Sequence, residues 1–189
     1  MARPDAPVVD PGSATAWRAW LAANHADSLG AWLVVSRRAG ETGLSYEDSI
    51  CEALCFGWVD GQSKVLPDGR STLWYTRRRP GSGWAATNKA RIARLTEQGR
   101  MEPAGLAVIE QAKANGTWTM FDDAEALIEH PLLRAALDAE PAARASWDGY
   151  PPSLRKQLLS WIATARREET RANRVATIVA TAARGERPS

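Results

Sequence analysis

Two hydrophobic periods alternate along the first half of the chain, and they set out its elements. Trp17, Trp20 and Leu21 are spaced to share one helical face, and Ser13 is a residue type that caps such a helix. Ala31 to Ser36 (AWLVVS) is a short apolar run between Gly30 and a polar turn at Arg37–Gly43. Its length and β-branched content predict a strand. Ser45 opens a second helix with Glu47 and Asp48 in the first turn, where the helix dipole favours acids. Ile50, Ala53, Leu54 and Gly57 continue its buried side. Gly57 and Gly61 then bracket Trp58-Val59-Asp60, a short strand or sharp turn. Residues 62–79 read as a hairpin, with Lys64 to Leu66 going out, Pro67-Asp68-Gly69 turning, and Ser71 to Arg77 coming back.

Helical spacing takes over after Pro80-Gly81. Ser82 is placed to cap a helix that carries Ile92 and Leu95 and ends near Gly99. Pro103 opens another, which runs to Asn115-Gly116. Short helical pieces follow at 122–129, 131–139 and 141–147. From Ser153 to Arg184 there are 32 residues without Gly or Pro. One straight helix of that length would measure ~48 Å, more than the ~42 Å diameter of a compact chain of this size. Two helices are expected, bent near Arg166-Arg167-Glu168-Glu169. The fold class is α+β and helix-rich: a small antiparallel sheet of about three strands covered by several helices, two of them C-terminal. Residues 1–12, with Pro4, Pro7, Pro11 and Gly12, read as a flexible lead-in to a single domain over 13–189.

Composition narrows the function classes. Hydrophobic residues are 44% and charged residues 24% of 189, which excludes a disordered or collagen-like chain. No apolar run reaches the ~18 residues of a membrane span. The N-terminal stretch holds Asp5 and Asp10 and no apolar core, so it does not read as a signal peptide and predicts a cytoplasmic protein. Cys51 and Cys55 lie four apart, but His25 and His130 are remote from them, so no metal-ligand spacing is recognisable. The two thiols read as buried and inert, in a reducing compartment. With no phosphate-binding loop, dinucleotide fingerprint, nucleophile elbow or zincin helix, no cofactor is expected.

Charge is uneven. Residues 64–100 carry 9 basic and 2 acidic groups, and residues 153–189 carry 8 and 3, while the two stretches before each of them are net acidic. These blocks either build an anion-binding face or neutralise each other side by side. A net charge of +2 falls short of a nucleic-acid-binding footprint.

Chemistry concentrates in three segments. Asp60 follows a helix end and Gly57. A carboxylate there acts as a general base or as half of an Asp–Arg pair, or it simply holds the turn. Trp74 to Trp84 brings Arg77, Arg78 and Arg79 up to an expected helix N-terminus, with Asn88 one turn on. Free N–H groups and guanidinium groups there would bind an anion, with Trp84 as an aromatic wall. Alternatively Trp84 is core and the arginines face solvent, Arg77 and Arg79 to one side and Arg78 to the other. Arg171 and Arg174 share a helical face, which turns inward to acids or an anionic ligand, or outward as a solvated stripe with Glu168 and Glu169. Trp161, with Leu158 and Ile162, reads as a core stripe.

Together the strings ALCFGWVDG (Ala53–Gly61), TRRRPGSGWAATN (Thr76–Asn88) and EETRANR (Glu168–Arg174) resemble the YdeI/OmpD-associated family, also described as bacteriocin-protection proteins. Gly99-Arg100-Met101, Gly116-Thr117-Trp118 and Trp161 add to the likeness, which spans roughly residues 12–185. In the family's pattern a Pro stands where this chain has Arg77, and a Ser where it has Ala85, which removes a hydroxyl from the site. The matching polar set is Asp60, Arg78, Trp84, Asn88, Thr170, Arg171 and Arg174. The resemblance implies a link to an envelope porin and to tolerance of bacteriocins or cationic peptides, with no reaction attached.

Two functions compete. One is a stress-response protein holding a small anionic or aromatic ligand in a single Trp/Arg/Asp pocket. The other is an enzyme with Asp60 as general base in that pocket. A scaffold whose arginines all meet internal carboxylates is a third possibility, and nucleic-acid binding is disfavoured by the charge. The sequence names no protein partner.

Overall fold

The computed structural model describes residues 6–36 and 43–187. The expected turn at Arg37–Gly43 lies outside the described residues except for Gly43, as do the first five residues of the lead-in. The chain groups into two compact units, Met1–Ser82 with Thr87–Asn115, and Gly83–Ala86 with Gly116–Ser189.

The first unit holds β1 (Val8–Val9), α1 (Ala14–Asn24), β2 (Ala31–Val34), α2 (Tyr46–Cys55), β3 (Trp58–Val65), β4 (Ser71–Arg77), α3 (Ala86–Glu97, except for Ala86 itself) and α4 (Pro103–Ala114). Its sheet runs β1-β2-β4-β3, with β1 parallel to β2 and the other pairs antiparallel. The strand beyond the expected three is β1. At two residues it is too short for alternation to reveal, and it exists because Val8 and Val9 pair with Trp32 and Leu33. Ser13 and Ser45 cap α1 and α2 as expected, accepting from the amides of Ala16 and Asp48. The helix expected to be capped by Ser82 begins three residues late, at Ala86. The Ser82 amide instead closes a turn on the Arg79 carbonyl at 3.0 Å.

Aromatic packing on one side of the sheet fixes this unit. Trp17 stacks on Trp20 at 5.2 Å and meets Tyr75 edge-on at 5.5 Å, and Trp20 meets Trp58 edge-on. Trp17 Nε1 donates to the Ser49 carbonyl at 3.1 Å, so burying the indole leaves its donor satisfied. The cross-strand pair Trp32 and Trp74 occupies the other side, with the Lys64 ammonium 3.9 Å from the Trp32 ring. Gly105 lets α4 press on α2, since a Cβ there would stand 2.2 Å from the Cys55 carbonyl oxygen. Glu52 is buried among these helices and pairs with Arg18 at 2.9 Å and Arg100 at 2.5 Å. Cys51 and Cys55 are free and buried, and burial pushes both thiols up.

The second unit holds α5 (Asp122–Glu125), α6 (Pro131–Asp138), α7 (Pro141–Asp148), α8 (Pro152–Ala163) and α9 (Glu168–Ala183). Proline starts α6, α7 and α8, where a missing N–H costs nothing. The Gly- and Pro-free stretch breaks between Ala163 and Glu168, where the length argument put its bend. Leu133, Leu137, Trp147, Leu158, Ile162 and Ile178 fill the core. Glu129 accepts from Arg144 Nη2 at 2.5 Å and from Trp147 Nε1 at 2.8 Å. Trp161 departs from the expected core stripe. Leu158 and Ile162 are buried, but Trp161 is 39% exposed. Leu158, Leu159 and Ile162 set the buried side, and Trp161 lies ~100° round the helix from Ile162. No helix among the described residues is long and apolar enough to cross a membrane.

Candidate functional site

Asp60, Arg78 and Asn88 belong to the first unit, and Trp84, Thr170, Arg171 and Arg174 to the second.

In the first unit Asp60 sits opposite Tyr75, and the β3–β4 register shifts between Asp60 and Ser63. Such an irregularity re-aims side chains and is common beside sites. Gly57, at φ 73°, turns the chain from α2 into β3, and its carbonyl accepts from the Arg78 amide at 3.0 Å. Directly opposed residues share a face, so Asp60 faces α2 together with Tyr75. There the Tyr46 hydroxyl donates to Asp60 Oδ2 at 3.3 Å. Tyr75 OH and Ser49 Oγ lie 2.7 Å apart, and Ser49 donates onward to the Tyr46 carbonyl. Burial pushes the Tyr46 phenol up, and the Asp60 charge adds to that.

The arginines divide as expected, although β4 ends at Arg77 and the other two lie beyond it. Arg77 and Arg79 are exposed, and Arg78 is 9% exposed. Burial lowers the Arg78 pKa to about 10, against an opposing pull from Asp60. Asp60 thus meets the Tyr46 phenol directly and acts on the buried Arg78 guanidinium through its charge. Asn88 Oδ1 accepts from Arg91 Nη1 at 2.9 Å, so this amide orients an arginine.

Arg91 also forks onto Glu47, which Arg94 reaches at 2.9 Å. The Arg91 hydrogen bonds, with help from Arg94, hold Glu47 at about 2, well below its ordinary 4.5. A carboxyl depressed in the folded state contributes stability above its unfolded pKa and loses it as pH falls through the folded one. Glu47→Gln therefore lowers the thermal midpoint at neutral pH, and the gap to the parent closes between pH 4.5 and about 2. The side chain is half exposed, so screening keeps the effect modest. Midpoints measured across that range test it, and a gap that stays constant down to pH 2 would contradict it.

In the second unit Trp84 is 2% exposed and packs against Trp118 at 5.1 Å, so its ring is core. The helix N-terminus expected to receive an anion has one built in. The Ala86 amide donates to Glu125 Oε1 at 3.2 Å, and Glu125 pairs with Lys156. Arg171 pairs with Glu168 and donates from Nη2 to the Ala165 carbonyl at 3.0 Å. Arg174 Nη1 donates to the Trp161 carbonyl and, at 2.7 Å, to Thr164 Oγ1. Both arginines thus close carbonyls left open where α8 ends. Sequence spacing cannot announce that role, because the acceptors lie in another helix. Thr170 is half-buried in the first turn of α9.

The Arg174 guanidinium lies 5.0 Å from the Trp161 ring centre. Trp161 and Thr164, both touched by Arg174, line an open hollow of about 350 Å³ together with Phe121, Gln157, Leu158 and Ser160. Trp161 is the functional candidate that pattern reading assigned to the core. Its position at the edge of the buried stripe is the signal that could have separated it.

Residues 9–108 match the family described as a domain of unknown function, DUF8412. Residues 126–185 match the family described as Bacteriocin-protection, YdeI or OmpD-Associated. The Glu168–Arg174 string falls in the second match, and the Ala53–Gly61 and Thr76–Asn88 strings fall in the first. No curated protein and no solved structure gives a match.

Proposed function

We infer, for a chain that belongs to the DUF8412 family and carries a bacteriocin-protection, YdeI or OmpD-associated region, that the protein binds small anionic ligands through Arg174. One observation carries the reading. Arg174 meets no carboxylate among the described residues; its partners are a carbonyl, a hydroxyl and the face of Trp161. A guanidinium held by neutral groups keeps its charge available. The surrounding segment, residues 153–189, has 8 basic and 3 acidic groups, which favours an anion further. Arg171 and Thr170 stand one turn earlier on α9 and extend the same basic corner. In this reading the protein works in the cytoplasm, and any part in stress response or in bacteriocin or cationic-peptide tolerance runs through the anion it holds.

The test is a titration with inorganic phosphate, followed on the Trp161 indole N–H resonance. The parent protein gives a saturable shift, and Arg174→Gln weakens binding roughly tenfold or more, as loss of a charge-assisted hydrogen bond does. Equal affinity in the two proteins would overturn the reading.

A second reading, catalysis with Asp60 as general base, draws on a different observation: the register shift beside Asp60, with Tyr46 and the buried Arg78 at hand. Arg78 and Asn88 are then its positioning residues. Asp60→Asn separates the two readings, since it leaves phosphate binding at Arg174 intact and removes turnover of any substrate.

A further inference from the structure

The hollow lined by Trp161 and Thr164, both of which Arg174 touches, is more than an anion site needs. Its volume, about 350 Å³, is at the small end of ordinary ligand pockets. Two of its six lining residues are aromatic, and each is held in place from behind. A Cβ at Gly83 would stand 2.5 Å from the Phe121 ring, so that ring rests directly on bare backbone. Trp161 lies against Arg174, which is itself tied to Thr164 and to the Trp161 carbonyl. Walls fixed this way bind without first losing side-chain freedom. Gln157, Ser160 and Thr164 supply polar edges, and the buried Leu158 adds an apolar one. The Trp161 Nε1 donor bonds nothing among the described residues, whereas those of Trp17, Trp58 and Trp147 each have an acceptor.

The nitrogens that Arg174 leaves without a hydrogen bond among the described residues select the charged group. Its Nη1 is spent on Trp161 and Thr164. Among the described residues Nε and Nη2 make no hydrogen bond, and these two nitrogens form one straight edge of the guanidinium. Two parallel N–H groups on one edge match the two oxygens of a carboxylate.

We propose that this hollow binds a planar aromatic carboxylate, with its ring against Trp161 and Phe121 and its carboxylate on the Nε–Nη2 edge of Arg174. The proposal rests on the anion-binding reading above and adds the ring. A ligand with one or two fused rings fits the volume. A phosphate without a ring uses the arginine edge alone and leaves the aromatic walls wet.

Three probes test it on the full chain: 2-naphthoate, acetate and 2-naphthalenemethanol, each titrated against the Trp161 indole N–H resonance, which Trp161→Phe assigns. Naphthoate is expected to bind roughly tenfold tighter than either of the others, because only it engages both ring and guanidinium. Trp161→Leu, which lacks that resonance and is followed by isothermal titration calorimetry alongside the parent, brings naphthoate down to the acetate level. Residue 161 is exposed, so this variant folds even if Arg174→Gln, which also opens the end of α8, does not. Naphthoate binding no tighter than acetate, with acetate still dependent on Arg174, overturns the ring and leaves the anion reading standing. Naphthalenemethanol binding as tightly as naphthoate overturns the carboxylate. Acetate and naphthoate both indifferent to Arg174→Gln overturn the proposal and the anion reading together.

Discussion

Trp17→Ala lowers the stability of the first unit by about 3–5 kcal/mol, the usual cost of deleting a large aromatic side chain from a core. Trp17 is fully buried between Trp20 and Tyr75, and neither ring can follow the loss. Trp20 is fixed by Trp58 and Tyr75 by Ser49, so a cavity stays open. The Ser49 carbonyl also loses its indole donor. Trp17→Phe isolates that second contribution: it keeps most of the apolar area, removes the donor, and is expected to cost about 1–3 kcal/mol. Urea denaturation of both variants measures the pair. If the phenylalanine variant is as unstable as the alanine one, shape at this position outweighs both area and hydrogen bonding.

Glu129→Ala destabilises the second unit by about 2–4 kcal/mol. The Glu129 side chain is only 15% exposed and accepts from Arg144 and from the fully buried Trp147. Without it the Trp147 donor is stranded in the core. Arg144 suffers less, because Asp148 still pairs with it at 2.6 Å. Glu129→Gln keeps an acceptor for Trp147 and is expected to recover about half of the loss. The Arg144 hydrogen bonds, assisted by Trp147, hold the Glu129 carboxyl below its ordinary value, with burial opposing. Its contribution is therefore present at neutral pH and is lost on acidification below the ordinary carboxylate range. An alanine variant equal in stability to the parent at pH 7 would show that Trp147 finds another acceptor.

The candidate site was legible in its residue types and less so in its partners. Alternation set Arg78 apart from Arg77 and Arg79, and the family resemblance, not the alternation, singled it out as a site residue. Arg171 and Arg174 were paired by the helical repeat, but their acceptors at Trp161, Thr164 and Ala165 belong to the previous helix and its end. Trp161 departed from the core role its surroundings implied, and Trp84 took the core alternative that its surroundings left open. Trp84 follows two glycines and three arginines, like a loop residue, and is core. Trp161 sits in an apolar stretch and is exposed. Indole is large enough for either part, so only the neighbours brought in from elsewhere decide.

By itself the sequence determined the α+β class, the capped starts of α1 and α2, the β3–β4 hairpin and the break between α8 and α9. Each depends on contacts within a few residues: a serine hydroxyl on a nearby amide, a Pro-Asp-Gly turn, a helix too long for its globule. Tertiary structure alone decided that Val8 and Val9 form a strand, that Glu125 occupies the amide of Ala86, and that Arg174 meets a carbonyl, a hydroxyl and the Trp161 ring but no carboxylate among the described residues. Those outcomes depend on groups distant along the chain meeting in space, and local pattern carries no record of such meetings.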